Sequence, residues 1–274
     1  MTELPAAWND IPAVHWQGGA LDCTACVHQS MRADGGCEPG RQCMNDAYAR
    51  RIDRFFRSHP ALANLHLGHA YFEVRAIASR YADVFRLPAL MDDPDETVRL
   101  QLALRLPQRH LLRMREDPHR EVRIRVAQGL AAEHLPSMMR DPDYHVRATV
   151  ARRLSEGLLP LLVNDVDLMV RREVARRVPM PALWRMVEDT EPEVRRIVAE
   201  RLPAPLLEAF FDDPDLIVRW EAAGRAHGAV LARFADDAEA DIRERARQRR
   251  TELDAADPSS GSADIALHPV PHPV

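Results

Sequence analysis

The sequence contains no lysine: all 37 of its basic residues are arginine. Set against 42 acidic residues they leave a formal charge of −5. Between residues 70 and 250 the 31 arginines are matched by 31 aspartates and glutamates, so the excess of negative charge lies at the two ends. The absence of lysine is read as the bias of a GC-rich coding sequence, not as a demand for guanidinium. Aromatic residues are scarce at 5%, and the 11 glycines are outnumbered by 21 prolines. That balance argues against a β-sandwich and suits many short helices punctuated by proline. Long apolar runs are missing too; none approaches the roughly 18 residues a membrane span requires. The N-terminus has neither a charged nor an apolar leader segment, and Trp8-Asn9-Asp10 interrupts any candidate run. A chain that avoids the membrane, intracellular and cytoplasmic, is expected. With 46% hydrophobic residues, disorder of the whole is excluded.

What is present is a repeat. A Val-Arg or Ile-Arg pair begins at Val74, Val98, Val122, Val146, Val170, Val194, Val218 and Ile242, always twenty-four positions apart. Five residues before the apolar anchor stand Asp93, Asp117, Asp141, Asp165, Asp189, Asp213 and Asp237, with His69 in the first copy. Pro94, Pro118, Pro142 and Pro214 follow four of these aspartates. Five residues after the anchor come alanines from Ala103 to Ala223, and eleven before it leucines from Leu87 to Leu231. Asp is a strong N-cap and proline suits the first helical position, so each Asp-Pro predicts a helix start. At about 100° per residue, the anchor and the fourth, fifth and eighth residues after it share one face. A helix of about three turns is predicted, with alanine where a neighbour approaches. The remaining segment, such as Leu87-Pro88-Ala89-Leu90-Met91, is too short for a second full helix and predicts a 3₁₀ turn or a tight apolar connector.

HEAT-like repeats share the Asp-Pro and Val-Arg elements but need roughly 40 residues or more, and ordinary leucine-rich repeats carry an Asn or Cys ladder that is missing here. One helix plus a short apolar segment in a unit of this length resembles the leucine-rich repeat variant family, whose repeats pair an α-helix with a 3₁₀ helix. The resemblance covers residues 70 to 250. It implies an all-α fold: a right-handed solenoid of eight repeats behind a small N-terminal cysteine module. The expected boundaries are residues 1–47 for that module, 48–250 for the solenoid and 251–274 for a disordered tail. The ends of the array differ from its middle. Arg247 and Arg250 replace the core Ala and Leu in the last copy, which makes a polar cap. Before the first copy, Ile52, Phe55 and Phe56 share a helical face that can lie against it and dock the cysteine module rigidly.

The four cysteines, Cys23, Cys26, Cys37 and Cys43, fall within 21 residues and none occurs elsewhere. Two disulfides would suit an oxidising compartment that nothing else here suggests. Spacing alone leaves structural zinc and a cubane iron–sulfur cluster evenly matched. Gly18-Gly19, Gly35-Gly36 and Gly40 supply the flexible loops that a cluster needs. The family resemblance implies the second choice: Cys23, Cys26, Cys37 and Cys43 occupy the place of a cysteine domain that binds a 4Fe–4S cluster, and the family is associated with nitrogen-fixing bacteria. His15 and His28 are read as exposed loop residues, not Rieske-type ligands. Trp8 and Trp16 are read as cover for the cluster or as ordinary core.

The anchor arginines, from Arg75 to Arg243, lie on the inner face and are expected to pair bidentately with the repeat aspartates, six residues before each of them from the second copy on. A second row, Arg105, Arg153, Arg177, Arg201, Arg225 and Arg249, points by helical angle to solvent. Cations are favoured in the last turn of any helix, so nucleic-acid binding is disfavoured. His268 and His272 carry no reading. No nucleophile–base pair and no phosphate-cradling glycine loop is present. The expectation is a non-enzymatic scaffold for a protein partner. An electron-transfer or cluster-carrier protein is the alternative.

Overall fold

A computed structural model of the chain describes residues 11–256. Trp8, His268 and His272 lie outside the described residues, as does the expected tail beyond Ala256. The chain divides into two compact units, Met1–Arg153 and Leu154–Val274. The first holds α1 (Ser30–Ala33), α2 (Ala49–Ser58), α3 (Phe72–Tyr81), α4 (Glu96–Ala103), α5 (Gln108–Leu111), α6 (Arg120–Gly129) and α7 (Tyr144–Arg153). The second holds α8 (Leu168–Ala175), α9 (Pro192–Arg201), α10 (Leu216–Ala223), α11 (Gly228–Phe234) and α12 (Ala240–Ala256). Among the described residues there is no strand, only isolated bridges in the cysteine segment.

Every repeat helix begins two residues before its apolar anchor, and all eight anchors are fully buried. The 3₁₀ reading of the connectors holds at Val84–Leu90 and Ala132–Met138 in the first unit, and at Glu156–Leu162 and Ala204–Phe210 in the second. Proline sits inside all four, at Pro88, Pro136, Pro160 and, near the start, Pro205. Short 3₁₀ turns tolerate a missing amide where a long α-helix would not. The connector from Gly228 to Phe234 is a full α-helix instead, α11. The core leucines of the connectors, Leu87, Leu135, Leu159 and Leu207, are as buried as the anchors. Each such side chain contributes roughly 1.5–3 kcal/mol on leaving water.

The role of the repeat aspartate differs from expectation. Asp93 is not the N-cap of α4; the cap is Asp95, whose carboxylate accepts the Thr97 amide at 2.9 Å. Asp143, Asp167 and Asp215 cap α7, α8 and α10 in the same way. Asp93 instead accepts the Asp95 amide at 3.0 Å and receives a forked bond from Arg75, 18 residues earlier, at 2.7 and 2.8 Å. Arg99–Asp117 and Arg123–Asp141 repeat the geometry in the first unit, and Arg171–Asp189, Arg195–Asp213 and Arg219–Asp237 in the second. Each guanidinium also donates back to the carbonyl six residues before it, Arg75 to His69 O at 2.8 Å and the others to their own repeat's aspartate, as Arg99 does to Asp93 O at 2.6 Å. The expected ion pair exists, but one repeat further on. The residue six before the arginine offers its backbone, not its carboxylate.

The second arginine row is not a free solvent face. Arg105 Nη1 donates to the Ser79 and Ala82 carbonyls at 2.6 and 2.7 Å, closing the C-terminal end of α3. Arg201 does the same for Ala175 and Val178, and Arg225 for Ala199 and Leu202. These are the orphan carbonyls of the preceding helix, where a cation is favoured by partial charge and hydrogen bond together. At the far end, Arg247 and Arg250 are exposed, as a polar cap requires. The last helix runs on to Ala256, six residues past the boundary expected at Arg250.

Asp141→Ala removes both oxygens that Arg123 uses and leaves a guanidinium only 11% exposed without its carboxylate. A loss of about 2–4 kcal/mol is expected, measured by urea denaturation; Asp254→Ala, on the exposed last turn of α12, should leave the midpoint unchanged. Acid supplies a second check. Burial pushes the Asp93 carboxyl upward, but the Arg75 fork and the Asp95 amide outweigh it and hold it below the usual carboxylate range. Its folded value therefore lies under the unfolded value of about 3.9. The stabilisation is complete above that pH and is lost as pH falls through the folded value. Below about pH 4 the melting temperature should fall as this pair is lost, and Asp93→Asn should reduce the slope of that fall.

Candidate metal centre

Residues 11–47 contain one short helix and are held mainly by turns. Gly35 adopts the left-handed backbone with φ 71°, and at Gly36 a Cβ would lie 3.3 Å from both the Met31 carbonyl oxygen and the His59 ring. Only glycine lets the segment bearing Cys37 pass so close to α1. The loop after it is fixed by a buried ion pair that sequence reading did not single out. Asp46 and Arg51 meet at 3.1 Å with side chains 1% and 3% exposed. Arg51 also donates to the Ile11 and Pro12 carbonyls, and its own carbonyl accepts the Cys43 amide at 3.2 Å. A signal for it existed: Arg51 precedes Arg75 by one full repeat period, one step upstream of the arginine row.

These constraints bring Cys23, Cys26, Cys37 and Cys43 to the wall of one small pocket. All four are free thiols. Cys37 and Cys43 are buried, and Cys23 and Cys26 are half-exposed. The Cys43 thiol donates to Cys37, which lowers Cys37 and, with burial, pushes Cys43 well up. The sulfurs also receive nitrogen donors: the His28 amide at 3.4 Å and the Asn45 side-chain amide at 3.5 Å, both to Cys26 Sγ. The Asn45 backbone amide serves Cys43, and Arg32 completes the wall with its positive charge. Four free thiols lining one pocket, with two N–H donors to Cys26 Sγ, are the donor set that would suit an iron–sulfur cluster.

The histidines are placed differently from expectation. His28 is buried, not exposed; it lines the cysteine pocket, and its ring packs 5.2 Å from Phe55. Its Nε2 meets His66 Nε2 at 2.8 Å. Burial lowers His28, and burial together with His28 and His69 pushes His66 down to about 4, so both rings are neutral at pH 7. His15 is half-buried, and its Nδ1 accepts the Gln17 amide. Trp16 does not line the cysteine pocket. It stacks on Tyr71 at 5.3 Å and meets His69 edge-on at 5.6 Å, covering the start of the first repeat. Ile52, Phe55 and Phe56 are fully buried, as their shared face implied.

Comparison with known proteins finds matches in both parts of the chain. Residues 13–65 match the family described as LRV protein FeS4 cluster, and residues 192–215 match leucine rich repeat variant. The first match runs past residue 47 and takes in α2 and the 3₁₀ helix Pro60–Leu65. A relative of solved structure, a leucine-rich repeat variant with a novel repetitive structural motif, superposes with a TM-score of 0.80 at 42% identity, covering 84% of this chain and 98% of that one. An uncharacterized 27.7 kDa protein in the nifB 3′ region of Rhodobacter capsulatus is 52% identical over 95 residues. That match spans 35% of this chain and 39% of the relative's length.

Anaerobically purified protein should be brown, with a broad absorption near roughly 400 nm and iron and sulfide in equal amounts. Cys→Ser at any of positions 23, 26, 37 or 43 should cut cluster occupancy. Colourless protein with one zinc and no sulfide would establish the other metal.

Proposed function

The chain belongs to the leucine-rich repeat variant family, and from that premise we propose that it is a non-enzymatic, 4Fe–4S-binding scaffold whose repeats engage a protein partner. The observation that carries this reading is the junction between the cysteine segment and the first repeat. The loops that bear the ligands are packed onto α2 and α3 through Trp16–Tyr71, His28–Phe55 and the buried Asp46–Arg51 pair. A cluster in that position serves as a structural end-piece of the array and makes the state of the array answer to oxygen or redox poise. Cys23, Cys26, Cys37 and Cys43 would hold it, each through a thiolate. When bound, the cluster supplies one-electron chemistry and four metal–sulfur cross-links. The Rhodobacter capsulatus relative is named for a nifB 3′ region, which supports a setting linked to nitrogen fixation.

A second reading rests on a specific feature. Cys23 and Cys26 are half-exposed, so one side of the pocket is open to a redox partner. That favours electron transfer or cluster delivery, with the repeats serving to dock the donor or acceptor.

Hydrogen exchange separates the two. Destroying the cluster with oxygen should raise exchange from about residue 48 to about residue 105 and leave α9 and α10 protected. A rise confined to residues before Tyr48, together with reversible reduction of the cluster at full occupancy, would give the electron-carrier reading the field.

A further inference from the structure

The His28–His66 contact joins two segments that the sequence keeps 38 residues apart. His28 follows Cys26 by two residues and touches the ligand twice over. Its backbone amide donates to Cys26 Sγ at 3.4 Å, and the residue lines the cysteine pocket. His66 ends the 3₁₀ helix Pro60–Leu65, its amide bonded to the Ala63 carbonyl at 3.1 Å. It is 9% exposed and lies one residue beyond the segment matched to the cluster family. A neutral imidazole has one N–H and one lone pair, so one ring donates and the other accepts. The rings cannot slide apart, because Phe55 packs on His28 at 5.2 Å and Phe56 on His66 at 5.7 Å.

We infer that His66 is a positioning residue for the cluster, acting through His28 to hold the amide that donates to Cys26 Sγ. The inference rests on the four cysteines being cluster ligands, and adds to that reading a residue outside the cysteine loops. The physical reason is the softness of an N–H···S bond in a loop. Residues 21–29 contain no helix or strand, and besides turns within the stretch Cys26 is met from outside by the Asn45 side-chain amide at 3.5 Å. A buried ring–ring bond to a helix end removes that freedom. Outer-sphere bonds of this kind tune both the retention and the electronic state of a metal centre. The contact works in the other direction as well. The His66 carbonyl accepts the His69 amide at 3.2 Å, His69 Nδ1 accepts the Tyr71 amide at 3.0 Å, and Tyr71 opens α3. A short run of hydrogen bonds therefore leads from a ligand sulfur to the first turn of the first repeat.

The test uses the full cluster-loaded chain. His66→Leu keeps the burial and deletes the bond; His66→Gln restores a side-chain donor and acceptor at that place. Iron release to a chelator should be about tenfold faster in His66→Leu, the electron paramagnetic resonance line shape of the reduced cluster should change, and His66→Gln should bring both back toward wild type. His28→Leu should reproduce the effect, and the double variant should be no worse than either single one, since both delete the same bond. Leu65→Ala, at a neighbouring side chain 73% exposed, is the control and should change neither readout. Wild-type release and an unchanged spectrum in His66→Leu would overturn the inference, as would additive effects in the double variant. If His66→Leu does not fold, His66→Gln and His28→Leu decide: a wild-type spectrum and release rate in His28→Leu overturns it. Wild-type protein that holds no iron and sulfide would overturn the cluster reading itself, a separate result.

Discussion

The constraint on which each unit depends is the forked bond between an arginine and the aspartate three-quarters of a repeat ahead of it, as from Arg75 to Asp93. The pair is nearly dry, with arginine side chains 10–14% and aspartate side chains 4–6% exposed across the six examples. A buried pair is stable only where both ions have their remaining bonding capacity filled. Here the carboxylate also takes the amide two residues on, and the guanidinium takes the carbonyl six residues back. One pair thus fixes two turns in two successive repeats. It sets the point at which each helix starts, and it explains why the helix begins after the aspartate and not at it. Lysine could not substitute, since a single ammonium cannot present two parallel donors to a carboxylate and a third to a carbonyl. At these positions arginine has a structural reason beyond coding bias; nothing in the structure extends that reason to exposed arginines such as Arg80.

The second arginine row completes the joint at the opposite helix end. Arg105, Arg201 and Arg225 reach back to the two carbonyls that end the previous helix. α4, α9 and α10 are thus tied forward at their start and backward at their finish, with alanine between to admit the neighbour. In such a chain, contacts of a repeat are with the repeats beside it, and damage at one joint spreads only through those neighbours. The pairing also consumes charge that would otherwise suggest a polyanion track. Rows of arginine that look available in sequence are occupied by carboxylates and carbonyls of the same chain.

The period, the 3₁₀ connectors, the buried faces and the cysteine set were all legible, because each depends on residue type at a fixed spacing. The partner of the anchor arginine was not, for an arithmetical reason. One aspartate stands a quarter of a repeat behind each arginine and another three quarters ahead, and the two intervals make up one whole repeat, so every internal copy satisfies both pairings. Only the first copy discriminates: Arg75 has Asp93 ahead but His69 behind. The histidines were misread for another reason: loop position predicts exposure only when nothing packs on the loop, and α2 packs on this one. The Asp46–Arg51 pair escaped because its apolar anchor is missing, although its arginine keeps the period.

His69 shows how the two kinds of structure meet. At the first repeat the aspartate has two duties elsewhere in the array, an ion pair and a turn, and here the ion pair is unnecessary. His69 retains the turn, since its Nδ1 accepts the Tyr71 amide as Asp93 accepts that of Asp95. The ring then gives what a carboxylate could not, an aromatic edge for Trp16 and a neighbour for His66. A segment of some 50 residues rich in turns is too small to bury an adequate core by itself. It gains order from one buried ion pair and from the apolar side of the first repeat. The repeat array needs that same surface covered. Each part therefore supplies what the other lacks, and the substitution of histidine for aspartate at residue 69 is where the pattern of the array yields to the requirements of the joint.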